Sequence, residues 1–287
     1  MAVGQDNLPF VRSSSEWVAY FERNAAELRA IPWEMGAGVT DAELSAISAS
    51  LRGWQLGETS DGSHLLAAAR HYAAAVGDPE FIDAVRLFIT EEQRHGGNLG
   101  RFLDLAGVER ASSDWGDSLF RAIRYAMPRM EIWATPVVMV ETHAMVYYNA
   151  VRRATQSPVL RAICEQILAD EVAHIRFQCE RLAILHRRRP WWQRKLTMGL
   201  HRLLFAGITV AVWGGHQRAL RAGGYDFGRF WRAAWRKMRF AWRAMSPNTY
   251  CWQPPQQPPQ APQQSAASSI LSPVSVGRGA AAELGRR

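Results

Sequence analysis

Two Glu-x-x-His motifs, Glu92 to His95 and Glu171 to His174, are the parts of this sequence best suited to chemistry. Residues three apart lie on one face of a helix, so each motif can present a carboxylate and an imidazole in the same direction. Two such helices facing each other would surround a space with ligands that suit iron or manganese. We therefore expect a site for two metal ions.

Both motifs lie in the middle of apolar helical stripes. The first stripe is Val85, Phe88, Glu92, His95, Leu99 and Phe102, and the second is Cys164, Ile167, Glu171, His174 and Gln178. Charged groups in a buried stripe cost several kcal/mol each unless they are paired or bound to metal. The repetition of the same pair in both stripes therefore favours a shared binding site over two solvated helix faces.

A two-metal site in a four-helix bundle also takes one carboxylate from each of the other two helices. Glu141 lies as far before the turn at Gln156 as Glu171 lies after it, so the two carboxylates are expected at the same height of a helical hairpin. For the remaining helix we expect Glu58, with Asp61 as the substitute.

Neighbouring residues are expected to orient these ligands. Because a ligating His usually donates its second N–H to a carboxylate, Asp170 is expected to bond to the His of the opposite helix, and Arg94 to pair with a carboxylate. Thiolates are absent from the set, which argues against a structural zinc site. The predicted metal ligands are Glu58, Glu92, His95, Glu141, Glu171 and His174, with Asp170, Arg94 and Asp61 around them. The predicted ions are two irons, with manganese as the alternative.

Helical periodicity and capping signals indicate an all-α chain in which no extended strand pattern appears. The predicted helices run over about 17–28, 40–76 (with a bend near Gly53 or Gly57), 80–106, 115–127, a helix with a Pro-kinked entry ending near 155, 157–188, 191–221 and 227–245. We divide the chain into a lead-in with a short helix (1–39), a bundle (40–188), a basic Trp-rich helical arm (189–246) and a Pro/Gln/Ser tail (247–287), which is expected to be disordered.

The first motif resembles that of soluble acyl-carrier-protein desaturases. Glu91 through Gly96 match the desaturase pattern Glu-Glu-x-Arg-His-Gly, and Asp170 through His174 match Asp-Glu-x-x-His. The likeness covers about residues 40–188, although Ala144 and Met145 stand where desaturases carry a Thr. The resemblance implies a ferritin-like four-helix bundle with extra N-terminal and C-terminal helices, two iron ions and dioxygen chemistry.

The basic arm differs sharply from the rest of the chain. From His186 to Arg243 there are 14 Lys and Arg against a single acid, Asp226, while the whole chain has a formal net charge of +8. Arg229, Arg232, Arg236, Arg239 and Arg243 repeat at helical spacing beside aromatic residues. The arm over 187–243 is expected either to contact an acidic carrier protein or an anionic membrane surface, or to dock on the bundle with a solvated Arg face. Nucleic acid is not expected, because no base-reading motif appears.

Three cysteines and the absence of a signal peptide favour a reducing, cytoplasmic location, with peripheral attachment to a membrane as an extension. The longest uncharged apolar run, 203–215, is short for a membrane span and suits a core or interfacial helix. We also expect a homodimer, while the electron donor stays open.

The function expected from these residues is that of a di-iron oxidoreductase, which activates dioxygen to hydroxylate or desaturate an apolar organic substrate. Two alternatives remain. One is a ferroxidase-like protein that handles metal without an organic substrate, and the other is a non-catalytic basic interaction protein whose bundle is only structural.

Overall fold

The computed structural model describes residues 8–113 and 130–252. Within these residues the all-α prediction is confirmed: the chain forms helices and carries a single isolated β-bridge. The helices are α1 (Ser14–Ala26), α2 (Asp41–Glu58), α3 (Ser63–Val76), α4 (Glu80–Leu105), α5 (Met130–Ala154), α6 (Pro158–Arg187), α7 (Trp191–Ala222) and α8 (Phe227–Ala244), with 3₁₀ turns at Trp33–Met35 and Pro247–Thr249. The helix predicted over 115–127 lies outside the described residues.

Four helices, α2, α4, α5 and α6, enclose the core in which the two motifs lie. α5 packs along α6, and α4 packs against both α2 and α6. α1 lies on α4, α7 lies on α5 and α2, and α8 lies on α5 and α6. The helices outside the bundle therefore cover the same core, and residues up to Trp252 form one compact unit.

The sequence predicted one helix over 40–76, bent near Gly53 or Gly57, but the structure breaks this segment after Glu58. The reason lies just beyond the break. Asp61 accepts hydrogen bonds from the backbone N and the side chain of Ser63, both at 3.0 Å, and so starts a new helix. Gly62 precedes α3 with a positive φ of 66°, a conformation that most residues avoid.

The break also depends on Gly96 of α4. A Cβ added at Gly96 would lie 2.6 Å from Cγ2 of Thr59 and 3.1 Å from the backbone carbon of Glu58. Only glycine therefore permits the last turn of α2 to approach α4 this closely. The consequence is that the Glu58 side chain is buried where α2 meets the middle of α4.

The arm helix α7 has one buried side and one open side. His201, Phe205 and Thr209 are buried toward the bundle. By length and composition α7 is the one helix of the described residues that could cross a membrane, and 17% of its most apolar window is buried. The sequence analysis did not identify α7 as a possible membrane span because it considered only uncharged runs. This helix carries isolated cations between its apolar residues.

The second arm helix, α8, docks through its apolar side. Phe230, Ala234, Met238 and Trp242 are buried, while the five regularly spaced Arg residues from Arg229 to Arg243 are exposed. The pattern read as a basic amphipathic helix thus forms a docked helix with a solvated Arg face.

The fold continues a few residues past the boundary predicted for the disordered tail. Pro247–Thr249 form a 3₁₀ turn, and the backbone N of Cys251 donates to Pro9 O at 3.0 Å. The rest of the predicted tail, residues 253–287, lies outside the described residues.

Candidate metal centre

The six residues predicted as ligands converge between α2, α4, α5 and α6. They form two groups, in each of which one potential ligand atom per residue lies within 4.8 Å of the others. One group is Glu92, Glu141, Glu171 and His174, and the other is Glu58, Glu92 and His95. Because Glu92 belongs to both groups, the geometry describes two adjacent cation positions with a carboxylate between them.

Asp61 does not join the cluster. It lies on the exposed turn that starts α3, where it accepts hydrogen bonds from Ser63. Of the two candidates for the α2 carboxylate, the structure therefore brings only Glu58 to the centre.

Several buried polar atoms point into the space between the helices without a hydrogen-bond partner among the described residues. These atoms are Oε1 of Glu92, Oε2 of Glu141, Oε2 of Glu171, Nδ1 of His95 and Nδ1 of His174. Oε1 of Glu92 lies 2.7 Å from Nδ1 of His174 without hydrogen-bond geometry. Buried polar atoms are normally satisfied, so this convergence of unpartnered oxygens and nitrogens marks a place for cations.

Each imidazole is held by a carboxylate from the opposite motif. Nε2 of His95 lies 2.9 Å from Oδ2 of Asp170, and Nε2 of His174 lies 2.9 Å from Oε2 of Glu91. A carboxylate accepts a hydrogen bond from Nε2–H, which in the neutral imidazole leaves the lone pair on Nδ1 facing the centre. The arrangement is reciprocal. Glu91 immediately precedes Glu92 of the first motif and holds the His of the second, whereas Asp170 immediately precedes Glu171 of the second motif and holds the His of the first.

A single amide from outside the bundle links these two supporting carboxylates. Nδ2 of Asn24, in α1, donates to Oε1 of Glu91 at 2.6 Å and to Oδ1 of Asp170 at 2.9 Å. Arg94 adds an ion pair to Oδ2 of Asp170 at 3.1 Å and lies 3.5 Å from Oε1 of Glu91. Arg94 thus pairs with a carboxylate, as the sequence suggested.

Two of the ligand carboxylates, those of Glu58 and Glu141, are oriented by neutral donors. The Tyr148 hydroxyl donates to Oε1 of Glu58 at 2.8 Å, and Nε2 of Gln178 donates to Oε1 of Glu141 at 2.6 Å. In Glu141 this leaves the second oxygen directed at the cluster. The tyrosine is fully buried, so its hydroxyl fixes Glu58 without admitting water.

Without a cation, the clustered carboxylates compete for protons. Burial, followed by the charge of Glu92, raises the pKa of Glu141 to about 8. The same two causes raise the pKa values of Glu58 and Glu171 well above the ordinary range. Several acids in one buried space hold protons unless a cation replaces them.

Glu92 and His174 behave as an ion pair inside this cluster. Burial alone would raise the pKa of Glu92, but the charge of His174, contacts with His174 and Glu58, and the charge of His95 together outweigh it and lower the pKa to about 2. Burial would lower the pKa of His174, whereas Glu92 and Glu91 raise it well above its usual value. The positive charge of protonated His174 stabilises the ionised form of Glu92, as a bound metal cation would.

The donor chemistry fits iron or manganese. Carboxylate oxygens with imidazole nitrogens suit these ions, and no thiolate belongs to either group. The apolar wall is also suitable, because the ring of Phe88 packs edge-on against His174 at 4.8 Å and Phe21 lies at 6.2 Å. The cluster is therefore a largely buried site, rich in oxygen and nitrogen ligands, that can hold two ions.

Three residues that orient this centre were missed by the sequence reasoning. Glu91 was considered only as part of the first motif. Because Asp170 was expected to bond to the His of the opposite helix, the equivalent acid of the first motif, Glu91, could have been given the same role. Tyr148 belongs to the stripe of Glu141 and could have been weighed as a donor. Asn24 could not have been predicted, because the sequence around it does not show that α1 packs across both motifs.

Comparison with known proteins returns structural matches only. No family model matches the chain, and no curated protein matches it. A solved structure of an R2-like ligand-binding oxidase variant with an aerobically reconstituted Mn/Fe cofactor aligns with a TM-score of 0.62 at 16% identity, covering 82% of this chain and 95% of that one. Two further variants of such an oxidase, one reconstituted aerobically and one anaerobically, align with TM-scores of 0.60 and 0.61 at 15% identity, each covering 82% of this chain and 94% of theirs.

These matches show that the chain has the ferritin-like helical fold. The prediction of that fold from the two motifs is therefore confirmed. The narrower likeness to acyl-carrier-protein desaturases is not confirmed by these matches and stays a prediction.

Proposed function

We propose that this ferritin-like chain is a di-metal oxidase that binds two iron or manganese ions and uses dioxygen to oxidise an apolar organic substrate. The observation that carries the proposal is the pair of ligand groups that share Glu92. The structural neighbours support it, because they are described as ligand-binding oxidases with a Mn/Fe cofactor. Hydroxylation and desaturation are both compatible with this chemistry.

The six residues that converge would hold the metal: Glu58, Glu92, His95, Glu141, Glu171 and His174. Two bound ions of this kind supply electrons and open coordination positions to dioxygen. Glu92, common to both groups, would help to hold both ions.

The chain's own residues set the protonation states for binding. Asp170 and Glu91 accept hydrogen bonds from Nε2–H of His95 and His174, so each Nδ1 faces inward and offers its lone pair once any proton on it has been released. Glu141, with its pKa raised to about 8, must release its proton when a cation arrives. The site therefore exchanges protons for metal at neutral pH.

Metal content of the purified protein after anaerobic loading with Fe(II) tests the proposal. We expect about two equivalents, as ferritin-like carboxylate sites hold two ions. Glu171→Ala should lose two-metal binding while helix content stays unchanged. Glu165→Ala, which removes a half-exposed acid of the same helix paired with Arg152, is the matched control and should keep the wild-type stoichiometry. Less than one equivalent in the wild-type protein would reject a di-metal site.

A ferroxidase-like role, with iron itself as the substrate, is the second candidate. A cavity of about 200 Å³ lies beside Arg94 and Gln166, both of which bond to Asp170. Its lining combines apolar Leu28, Ile31 and Trp33 with the cations Arg29 and Arg94. A lining with two Arg residues repels free metal cations, so this cavity does not support the ferroxidase role.

Repeated additions of Fe(II) in air separate the two functions. A ferroxidase should oxidise many equivalents at an undiminished rate. An oxidase with a resident cofactor should stop once its two positions are filled, and consume further dioxygen only when a reductant and an organic substrate are present.

A further inference from the structure

The outward side of α7 is a continuous apolar surface. We define the α7 outer face as Trp192, Leu196, Leu200, Leu203, Gly207 and Val210, which follow one another at intervals of three or four residues. Leu203 is 73% exposed and Leu196 is 61% exposed. Contiguous exposed apolar side chains of this kind mark an interaction site.

The opposite side of α7 is attached to the bundle from His201 to Leu220. Nε2 of His143 lies 3.0 Å from Oγ1 of Thr209, and Phe205 stacks on His143 with ring centroids 4.6 Å apart. Further along, Nδ1 of His216 lies 2.8 Å from Oγ of Ser50 in α2. A helix fixed in this way keeps its outer face parallel to the protein surface, so it cannot serve as a span without leaving the bundle.

The charges that α7 itself carries have one sign. Lys195 and Arg202 lie to the side of the face, Arg218 and Arg221 follow it toward the C-terminal end, and all four are exposed. The sequence has no Asp or Glu between Glu180 and Asp226. Two copies of this face brought together would bring like charges together, whereas an anionic surface would be attracted.

Two tryptophans are exposed at the start of the helix, where the apolar face meets the cluster Arg187–Arg189. Trp191 is 64% exposed and Trp192 is 53% exposed, and Nζ of Lys195 lies 4.8 Å from the Trp191 ring centroid. Tryptophan beside cations is typical of helices that lie at the level of lipid headgroups.

We infer that the α7 outer face docks on an anionic lipid bilayer, with the helix axis in the plane of the membrane. The apolar side chains enter the boundary between headgroups and acyl chains, and the flanking Lys and Arg residues contact lipid phosphates. The protein then binds the membrane as a peripheral protein. The inference does not depend on the metal centre.

Vesicle flotation of the full chain tests this docking. We expect binding to vesicles of equimolar phosphatidylcholine and phosphatidylglycerol, weak binding to phosphatidylcholine alone, and release as salt is raised. The double variant Leu200→Glu/Leu203→Glu should weaken binding by about tenfold or more. Leu105→Glu, which places the same charge at an exposed Leu of α4, is the control and should bind as the wild type does.

A second variant keeps the test independent of folding. Arg218→Gln/Arg221→Gln leaves the apolar face intact and should lower the affinity for anionic vesicles by about tenfold. Far-UV circular dichroism and the melting temperature should match the wild type for both double variants.

Three outcomes would overturn the inference. The first is equal flotation with neutral and anionic vesicles, or none with either. The second is a wild-type dimer in light scattering that Leu200→Glu/Leu203→Glu converts to a monomer without vesicle binding in either form, since a second copy would then cover the face. The third is binding to a purified acidic carrier protein in place of vesicles.

Discussion

Glu91 accepts a hydrogen bond from His174 across the bundle, with Oε2 and Nε2 separated by 2.9 Å. Asp170 does the same for His95 at the same distance. Each Glu-x-x-His motif therefore supplies both a ligand pair and the carboxylate that orients the imidazole of the other. Neither motif is complete without its counterpart, which explains why a local pattern on one helix has little meaning alone.

Removing either supporting carboxylate should weaken metal binding. We expect Glu91→Gln and Asp170→Asn each to lower the affinity for Mn(II) by about 10- to 100-fold, because the amide no longer fixes the imidazole tautomer. Equilibrium dialysis measures the change. Glu80→Gln, at an exposed position of the same helix as Glu91, should have no effect. Wild-type affinity in both variants would contradict the proposed orientation of the two His residues.

Tyr148→Phe should alter the Glu58 side of the centre selectively. The variant removes the donor to Oε1 of Glu58, leaves a buried carboxylate oxygen unsatisfied and should cost about 1–3 kcal/mol in the free energy of unfolding. We expect one of the two metal equivalents to bind more weakly in a Mn(II) titration followed by electron paramagnetic resonance. Tyr147→Phe is the comparison, because its hydroxyl bonds to Ser50 and not to a proposed ligand.

Gly96→Ala should disrupt the metal centre by displacing the backbone of α2 that carries Glu58. The new methyl group would lie 2.6 Å from Thr59, so α2 and α4 must separate, at a cost of about 1–3 kcal/mol. Metal stoichiometry should fall, because Glu58 moves with its helix. Gly97→Ala is a matched control on the next residue, where a Cβ meets open space. That control should stabilise the protein by about 0.5–1 kcal/mol in chemical denaturation, because Ala favours the helix.

The stability of the metal-free protein should fall as pH rises from about 6.5 to 8. Over this range Glu141 is protonated when folded, with its pKa raised to about 8, and ionised when unfolded, so folding takes up a proton that becomes harder to supply. His143 and His201, whose pKa values burial lowers to about 4, are neutral in the fold, and their opposing contribution fades above about pH 7 as the unfolded imidazoles also lose their protons.

Each such carboxyl contributes a slope of up to about 1.4 kcal/mol per pH unit in the free energy of unfolding. Urea denaturation at several pH values should show this fall in the wild type and a shallower one in Glu141→Gln. Saturating metal should remove the fall, because the bound form holds the ionised carboxylates. A wild-type stability that rises over the same range would mean that Glu141 is ionised in the metal-free fold.

The height of Glu141 could be predicted by counting residues, since α5 and α6 are uninterrupted on both sides of a short turn. The same counting does not work for Glu58. The segment breaks after Glu58, and residues in an irregular turn do not advance by a fixed rise. Only the close approach of Gly96 shows why the carboxylate reaches the centre, and that contact joins residues distant in sequence.

The arm shows a different limit of sequence reasoning. The charge excess and the Arg periodicity of α8 were evident, and the arginines are exposed as that pattern requires. In α7 apolar residues occur on every side, so no periodic pattern separates the side that packs from the side that does not. The packing of Phe205 and Thr209 against His143 had to be seen before the outer face could be identified.

Asn24 couples the N-terminal helix α1 to the candidate metal centre. Its amide donates to Glu91 and Asp170 at once, and these two carboxylates hold the two imidazoles. Thermodynamic reciprocity then requires that any ion which stabilises the imidazole orientation also stabilises the docking of α1, and by the same free energy. Protease resistance of the residues around α1 would therefore report the occupancy of a centre that α1 does not ligate.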